Sequence, residues 1–318
     1  MYFVFYENSD STTGKKVSDH YARPLADNQL TIQFLTKVLG YANTADTGDL
    51  AVRVANAEVL LSAMTADNTL TSRRYRHPSY CSDEARVQLR ATIFQELIDN
   101  PRLPNDDDIT LGQGGMAPSI EGGAKANRKA FFLIGLPASG KSSISNKIAD
   151  EYGAYIVDSD YAKRKFPEFC QEYGAAVVHE ESTLVTFGLN DSKHTSELNV
   201  FGYCVAAGVN LVIPKIGANP VSIRKLRDLL IEYGYEVHLT LVKVDRLSAT
   251  KRTLSRFCST KRYVPISLVF DGYSNDPILS YFYMKEDPSW ASVGSVSTEQ
   301  PQTAFIEGTN SNPSILYK

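Results

Sequence analysis

The chain has 318 residues, 43% of them hydrophobic and 22% charged, with a formal net charge of -3. This is an ordinary globular composition, long enough for one large domain or a domain with an appendage; it excludes global disorder and an overall basic footprint for nucleic acid. Cys81, Cys170, Cys204 and Cys258 are scattered, without zinc spacing, and no apolar run reaches the roughly 18 residues of a membrane span, so reduced thiols, a cytoplasmic location and no membrane partner are expected.

The opening "MYFVFYENSDSTTGKK" reads as a short strand, because no basic residues precede its few apolar ones as in a signal peptide. "DNQLTIQFLTKVLGYA" has Leu30, Phe34, Leu35 and Val38 near helical spacing and a stop at Gly40. "TGDLAVRVANAEVLLSAMTADN" repeats the idea with Leu50, Val54, Leu61 and Met64. Residues 1–81 are therefore expected to be a small, mainly helical N-terminal domain. Ser82, Asp83 and Glu84 suit the start of another helix, which Asn100-Pro101 ends. The glycine- and acid-rich stretch that follows completes a connecting segment, 82–128, of the linker or functional-loop kind.

From residue 129 to 318 a third unit is expected, with strand–helix alternation at its start. "AFFLIGL", "AYIV", "VNLVIP" and "YEVHLTLVKV" are strand candidates, the third ending at Lys215. Helices are expected after the first strand, around 182–190 and 195–207, over "NPVSIRKLRDLLIEYG" and over "RLSATKRTLSRF". Asn219 would cap the fourth of these, with Pro220 at its first position and Gly234 as its stop. Such alternation predicts an α/β fold, a parallel sheet with helices on both faces. Residues 273–318 are turn-rich and give no clear pattern.

The strongest motif is GLPASGKS, Gly135–Ser142, between a strand and a helix. Glycines let the backbone wrap a phosphate, and successive N–H groups at a helix start favour negative charge. Gly135, Ala138, Ser139, Gly140, Lys141, Ser142 and Ser143 are the candidate nucleotide contacts. Lys141 should reach the β- and γ-phosphates, and Ser142 should hold Mg²⁺. "IVDSD" then ends the second strand on the edge where open α/β sheets bind ligands. One of Asp158 and Asp160 can hold metal-bound water while the other accepts a proton from an attacking hydroxyl. The plain alternative is a pair of helix-capping aspartates.

Three weaker features follow. "VVHEEST" offers Glu180 and Glu181 to a substrate hydroxyl or the metal, or simply as helix-start residues beside His179. Lys215 leaves the third strand at the same edge and can meet substrate, or lie on the surface. Arg246, Lys251, Arg252, Arg256, Lys261 and Arg262 form a cationic run with no acid between Asp245 and Asp271. That is what a phosphate lid needs, though one helix cannot aim all of them at one place.

"GLPASGKSS" followed by "IVDSDYAKRKFPEF", and later "GVNLVI" and "VKVDRLSATKRTLSRF…KRYVP", resembles the zeta-toxin family of P-loop kinases over roughly residues 130–272. The resemblance implies ATP and Mg²⁺ as cofactors, Arg256 and Arg262 on the ATP phosphates, and Asp160 as the base. It implies phosphoryl transfer to a hydroxyl of a nucleotide-type small molecule, UDP-N-acetylglucosamine in the familiar toxins and NAD in a related effector. It also implies an antitoxin partner, or inhibition in cis by the N-terminal domain. The sequence departs from the family where the acceptor is chosen, at "PKIGANP" and "HEEST". A polynucleotide end kinase and a non-catalytic nucleotide-binding regulator are the competing classes. Net charge and the acidic "NDDD" stretch speak against the first, and no switch loops are identifiable for the second.

Overall fold

The computed structural model describes residues 25–63, 68–171, 173–189, 194, 197–260, 262–299 and 304–308. The strand expected at the chain start, Met64 and Lys261 lie outside the described residues.

Apolar runs make the centre of the sheet. Strand β1 (Lys129–Ile134) carries Phe131 and Phe132, almost wholly buried, each contributing about 1.5–3 kcal/mol by burial. It lies between β3 (Leu211–Lys215) and β4 (Glu236–Lys243), parallel to both. The short β2 (Tyr155–Ile156) flanks β3, and β5 (Ser292–Ser297) flanks β4, again in parallel. An antiparallel edge strand, β6 (Ala304–Gly308), completes the order β2-β3-β1-β4-β5-β6. The chain thus moves from β1 outward to β2, then from β3 across β1 to β4. Right-handed crossovers in these opposite directions put the connecting helices, α4 (Lys141–Tyr152) and α9 (Pro220–Glu232), on opposite faces. Asn219 caps α9 as expected, its side chain accepting from the N–H groups of Val221 and Ser222.

The remaining helices wrap this frame. Before the sheet come α1 (Asn28–Gln33), extended by a π-helical turn at Phe34–Val38, then α2 (Ala45–Ala63) and α3 (Asp83–Asp99). Between β2 and β3 lie α5 (Ser159–Lys165), α6 (Gly174–Val177), α7 (His179–Phe187) and α8 (Val200–Ala207). The expected helix around 182–190 therefore starts and ends earlier, and the one around 195–207 starts later. After β4 come α10 (Arg246–Thr260) and α11 (Asp276–Met284).

Two stretches behave differently from their composition. The glycine- and acid-rich segment is packed, with Ile109 and Met116 fully buried, and a Cβ on Gly115 would sit 2.2 Å from the Asn100 carbonyl oxygen. The turn-rich C-terminal region supplies α11 and the fifth parallel strand. "SVGSVS" has only Val293 and Val296 as usual strand residues, and Ser292 satisfies its buried hydroxyl on His238 Nδ1 at 2.8 Å.

The core has more than one part. The largest cluster lies around the sheet. A second joins Leu35, Leu50 and Val54 of the N-terminal helical region to Leu254 and Phe257 of α10 and to Tyr263 and Ile266 beyond it. The N-terminal helices and α10 therefore share one apolar interior.

Candidate active site

All five parallel strands end on one edge, and the candidate residues leave the sheet there. After β1 the loop Gly135–Gly140 turns into α4. Gly140 has φ +89°, a left-handed conformation that suits glycine, and α4 has no side-chain cap on its first turn. Gly135 passes so close to β4 that a Cβ would lie 2.5 Å from the Val242 carbonyl oxygen. Lys141 Nζ donates to the Gly135 and Leu136 carbonyls at 2.6 and 2.7 Å, lying back along the loop. Burial pushes its pKa down to about 8, against the pull of Asp158 and Asp160. Ser142 and Ser143 are exposed on the first turn of α4.

After β2 comes the aspartate pair. Asp158 caps α5, its Oδ1 accepting from the Asp160 N–H at 3.0 Å, so the plain reading holds for it. Burial, then the neighbouring Asp160, raises the Asp158 carboxyl above its ordinary value. Asp160 is different. Burial would raise it too, but Arg262, Lys163 and Arg164 hold it well below the carboxylate range. Arg262 Nη2 donates to its Oδ2 at 2.7 Å and Lys163 Nζ to its Oδ1 at 3.0 Å. The Asp160 side chain is still 32% exposed.

Arg262 also stacks over Phe169, 5.2 Å from the ring centroid, and its Nε and Nη1 have no hydrogen-bond partner among the described residues. The other predicted lid arginine, Arg256, donates to Asp107 at 2.8 Å. Asp107 comes from the acidic segment and also accepts from Arg164 at 3.2 Å. Asp107, Phe169, Gln171, Thr260 and Arg262 line a hollow of about 240 Å³. From the same cationic run, Arg252 grips Thr298, the residue after β5. Thr298 in turn donates from Oγ1 to the Ser139 carbonyl at 2.5 Å, against the outside of the phosphate loop.

The structure brings Lys141, Asp158, Asp160 and Arg262 together and leaves other candidates elsewhere. Glu181, expected at the substrate, is fully buried in an ion network. Its carboxylate accepts from Arg86 Nε at 2.8 Å, Arg90 Nη1 at 2.8 Å and the Thr69 hydroxyl at 2.5 Å. Arg86 also binds Glu168 at 2.7 Å, and Arg90 binds Glu197 at 2.7 Å. Helix α7 turns Glu181 inward toward α3, while Glu180 stays on the exposed side with His179. Lys215 is half-buried at the end of β3, its Nζ 4.0 Å over the Phe187 ring.

Sequence reasoning passed over Lys163, Arg164, Asp107 and Thr298. For Lys163 a signal existed: it stands three positions after Asp160 on one helix, where side chains meet. Among the described residues no group of three or more His, Cys, Asp or Glu could hold a metal. Ser142 and Asp158 would hold Mg²⁺ only together with phosphate oxygens, which is the usual way with this ion.

The phosphate loop, the aspartate pair and the arginine lid all lie inside residues 122–275, which match the family model described as Zeta toxin. This segment belongs to the zeta-toxin family. The zeta-toxin segment begins before β1 and ends beyond α10, so α1–α3, α11 and β5 stand outside it. A comparison with curated proteins finds no match. Among solved structures, the fold is similar to one from the PezAT chromosomal toxin–antitoxin system of Streptococcus pneumoniae. That likeness has 18% identity, covers 74% of this chain and 87% of that one, and has a TM-score of 0.48. A second is the AvrRxo1-ORF1:-ORF2 structure with ATP, at 15% identity over 73% and 68% of the two chains, TM-score 0.41. A third is a gluconokinase from Sinorhizobium meliloti 1021, at 17% identity over 56% and 86%, TM-score 0.32.

Proposed function

We propose that this protein is an ATP-dependent kinase that phosphorylates a hydroxyl of a small nucleotide-type molecule and acts as a toxin. The observation that carries the reading is the Arg262–Asp160 pair on the sheet edge that also bears Lys141. Hydrolysis alone needs a site for water; a fixed, ionised and partly exposed carboxylate beside a phosphate loop suits an acceptor hydroxyl.

The site has the chemistry to hold a triphosphate. Lys141, Lys163, Arg164, Arg256 and Arg262 outnumber Asp107, Asp158 and Asp160, leaving a cationic excess. The uncapped first turn of α4 and the left-handed Gly140 leave backbone N–H groups for phosphate oxygens. Gly135, Ala138, Ser139, Gly140, Ser142 and Ser143 would frame the phosphates, with Lys141 on the β- and γ-oxygens. Mg²⁺, when bound, neutralises charge on those oxygens, with Ser142 as its protein ligand and Asp158 supporting it through water.

Asp160 then orients the acceptor hydroxyl. A carboxylate held this acidic carries no proton beforehand, so it takes the hydroxyl proton only as the acceptor oxygen bonds to phosphorus. The bond to the bridging oxygen breaks, and ADP departs with that electron pair. Arg262 and Arg256 meet the charge spread over the transferring group. Most of the acceleration comes from positioning and charge.

Kinship with zeta toxins supports UDP-N-acetylglucosamine as the acceptor. Glu180 and Lys215 stand on the acceptor side of this reading, and Glu181 serves the ion network behind it. A cytoplasmic protein with an antitoxin completes the proposal. The test is incubation with ATP and Mg²⁺, followed by mass spectrometry of UDP-N-acetylglucosamine and of NAD. A mass gain of one phosphate on the sugar nucleotide supports the acceptor; a gain on NAD alone replaces it; ATP turnover with no acceptor change removes the kinase reading.

A further inference from the structure

Arg262 and Tyr263 are neighbours in the chain and reach to different parts of the molecule. Arg262 goes to Asp160. Tyr263 is buried and goes to α2, where its hydroxyl donates to Glu58 Oε1 at 2.5 Å, 205 positions away in sequence. The same hydroxyl accepts from the Ile266 N–H at 3.4 Å, which pins the turn that follows. The Tyr263 ring meets Phe257 of α10 edge-on at 5.0 Å. Arg53 of α2 lies 4.8 Å over that Phe257 ring and donates to its carbonyl at 3.3 Å. Burial raises the Glu58 carboxyl, and Tyr263 and Ile266 pull it back. A buried carboxylate served by a phenol and a backbone N–H is costly to place, so a core made only for stability would favour an apolar residue there.

We infer that Glu58 and Tyr263 are positioning residues, through which α2 holds Arg262 in register with Asp160. The meaning for catalysis rests on the kinase reading above; the mechanical coupling does not. The N-terminal helices would then set activity through the lid, without covering the phosphate loop. Removing the whole unit would also strip the apolar face of α10, so single atoms make the cleaner test.

The experiment uses the full chain with Tyr263→Phe, Glu58→Ala and Glu58→Gln. Hydrogen exchange is followed by mass spectrometry, and phosphate release or transfer from labelled ATP·Mg²⁺ is followed in parallel. Tyr263→Phe and Glu58→Ala should speed exchange about threefold or more in residues 253–266 and in 159–165, leaving β1, β3 and β4 unchanged. Glu58→Gln keeps an acceptor oxygen and should restore most of the protection. Phosphate transfer should fall about tenfold or more with ATP affinity unchanged, and Tyr263→Phe should add nothing in an Arg262→Lys background. Faster exchange confined to α2, with 159–165 unmoved, overturns the coupling. If the wild-type chain turns over no ATP, the kinase reading fails and exchange still decides the coupling.

Discussion

Arg262 and Asp160 are 102 positions apart and joined at 2.7 Å. The arginine follows the lid helix, and the aspartate opens the helix after β2. Their pairing ties the lid to the sheet edge and keeps the Asp160 carboxylate ionised. It also leaves Nε and Nη1 of the guanidinium without a partner among the described residues, in a site we read as phosphate-binding.

Both members should therefore matter to transfer more than to folding. Asp160→Ala is expected to lower phosphate transfer by about 10²–10⁴-fold. Arg262→Ala is expected to lower it by about 10²–10³-fold. Rapid-quench assays with labelled ATP give the rates, and circular dichroism checks the fold. Near-normal transfer in Asp160→Ala would take that residue out of the reaction.

In the proposed kinase, Asp107 would compete with phosphate for Arg256 and Arg164, with both of which it pairs. Replacing it with Asn removes the charge and keeps the size. The ATP dissociation constant should fall about twofold to fivefold, the range of a half-exposed ion pair. Isothermal titration calorimetry reads this directly. Weaker binding in Asp107→Asn would mean that the acidic segment helps to hold nucleotide.

Arg86 has no exposed surface and serves two buried carboxylates, Glu168 and Glu181. Arg86→Met would leave both short of a cation. The expected loss is about 3–5 kcal/mol of unfolding free energy, measured by urea titration. A loss under about 1 kcal/mol would show that the network relaxes around the gap.

Glu181 gives the network a pH signature. Burial would raise its carboxyl, but Arg86, Thr69 and Arg90 hold it below its ordinary value of 4.5. A group depressed on folding stabilises above its unfolded pKa, and that stability is lost as pH falls through the folded value. The melting temperature should thus drop as pH falls below about 4.5. Glu181→Gln should melt lower at neutral pH and lose less on acidification. Parallel curves for the two proteins would assign the acid sensitivity elsewhere.

What could be read from the sequence was what is written locally. The phosphate loop, the capped α9 and the apolar β1 each carry their signal within a dozen or so residues. The site was legible as far as "DSD", which stands just past a strand, and the arginine run, which has no acid between Asp245 and Asp271. Glu181 was not. "HEEST" shows two acids at a helix start, and only the packing of α7 on α3 decides that one of them turns inward to Arg86 and Arg90. Strand β5 was hidden because serine and glycine take four of its six positions, and its place between β4 and β6 depends on pairing more than on its own preference. Asp107 reaches Arg256 across 149 positions, a distance over which no local pattern speaks.

Thr298 rests on the Ser139 carbonyl from 159 positions further along the chain. A ribosome that has just joined Ser139 to the chain must still add 159 residues before that contact can form. The lid, with Arg252 gripping Thr298, waits for the same moment. Synthesis thus delivers the nucleotide-binding loop early and its brace late, and a nascent or prematurely stopped chain carries the motif without the support.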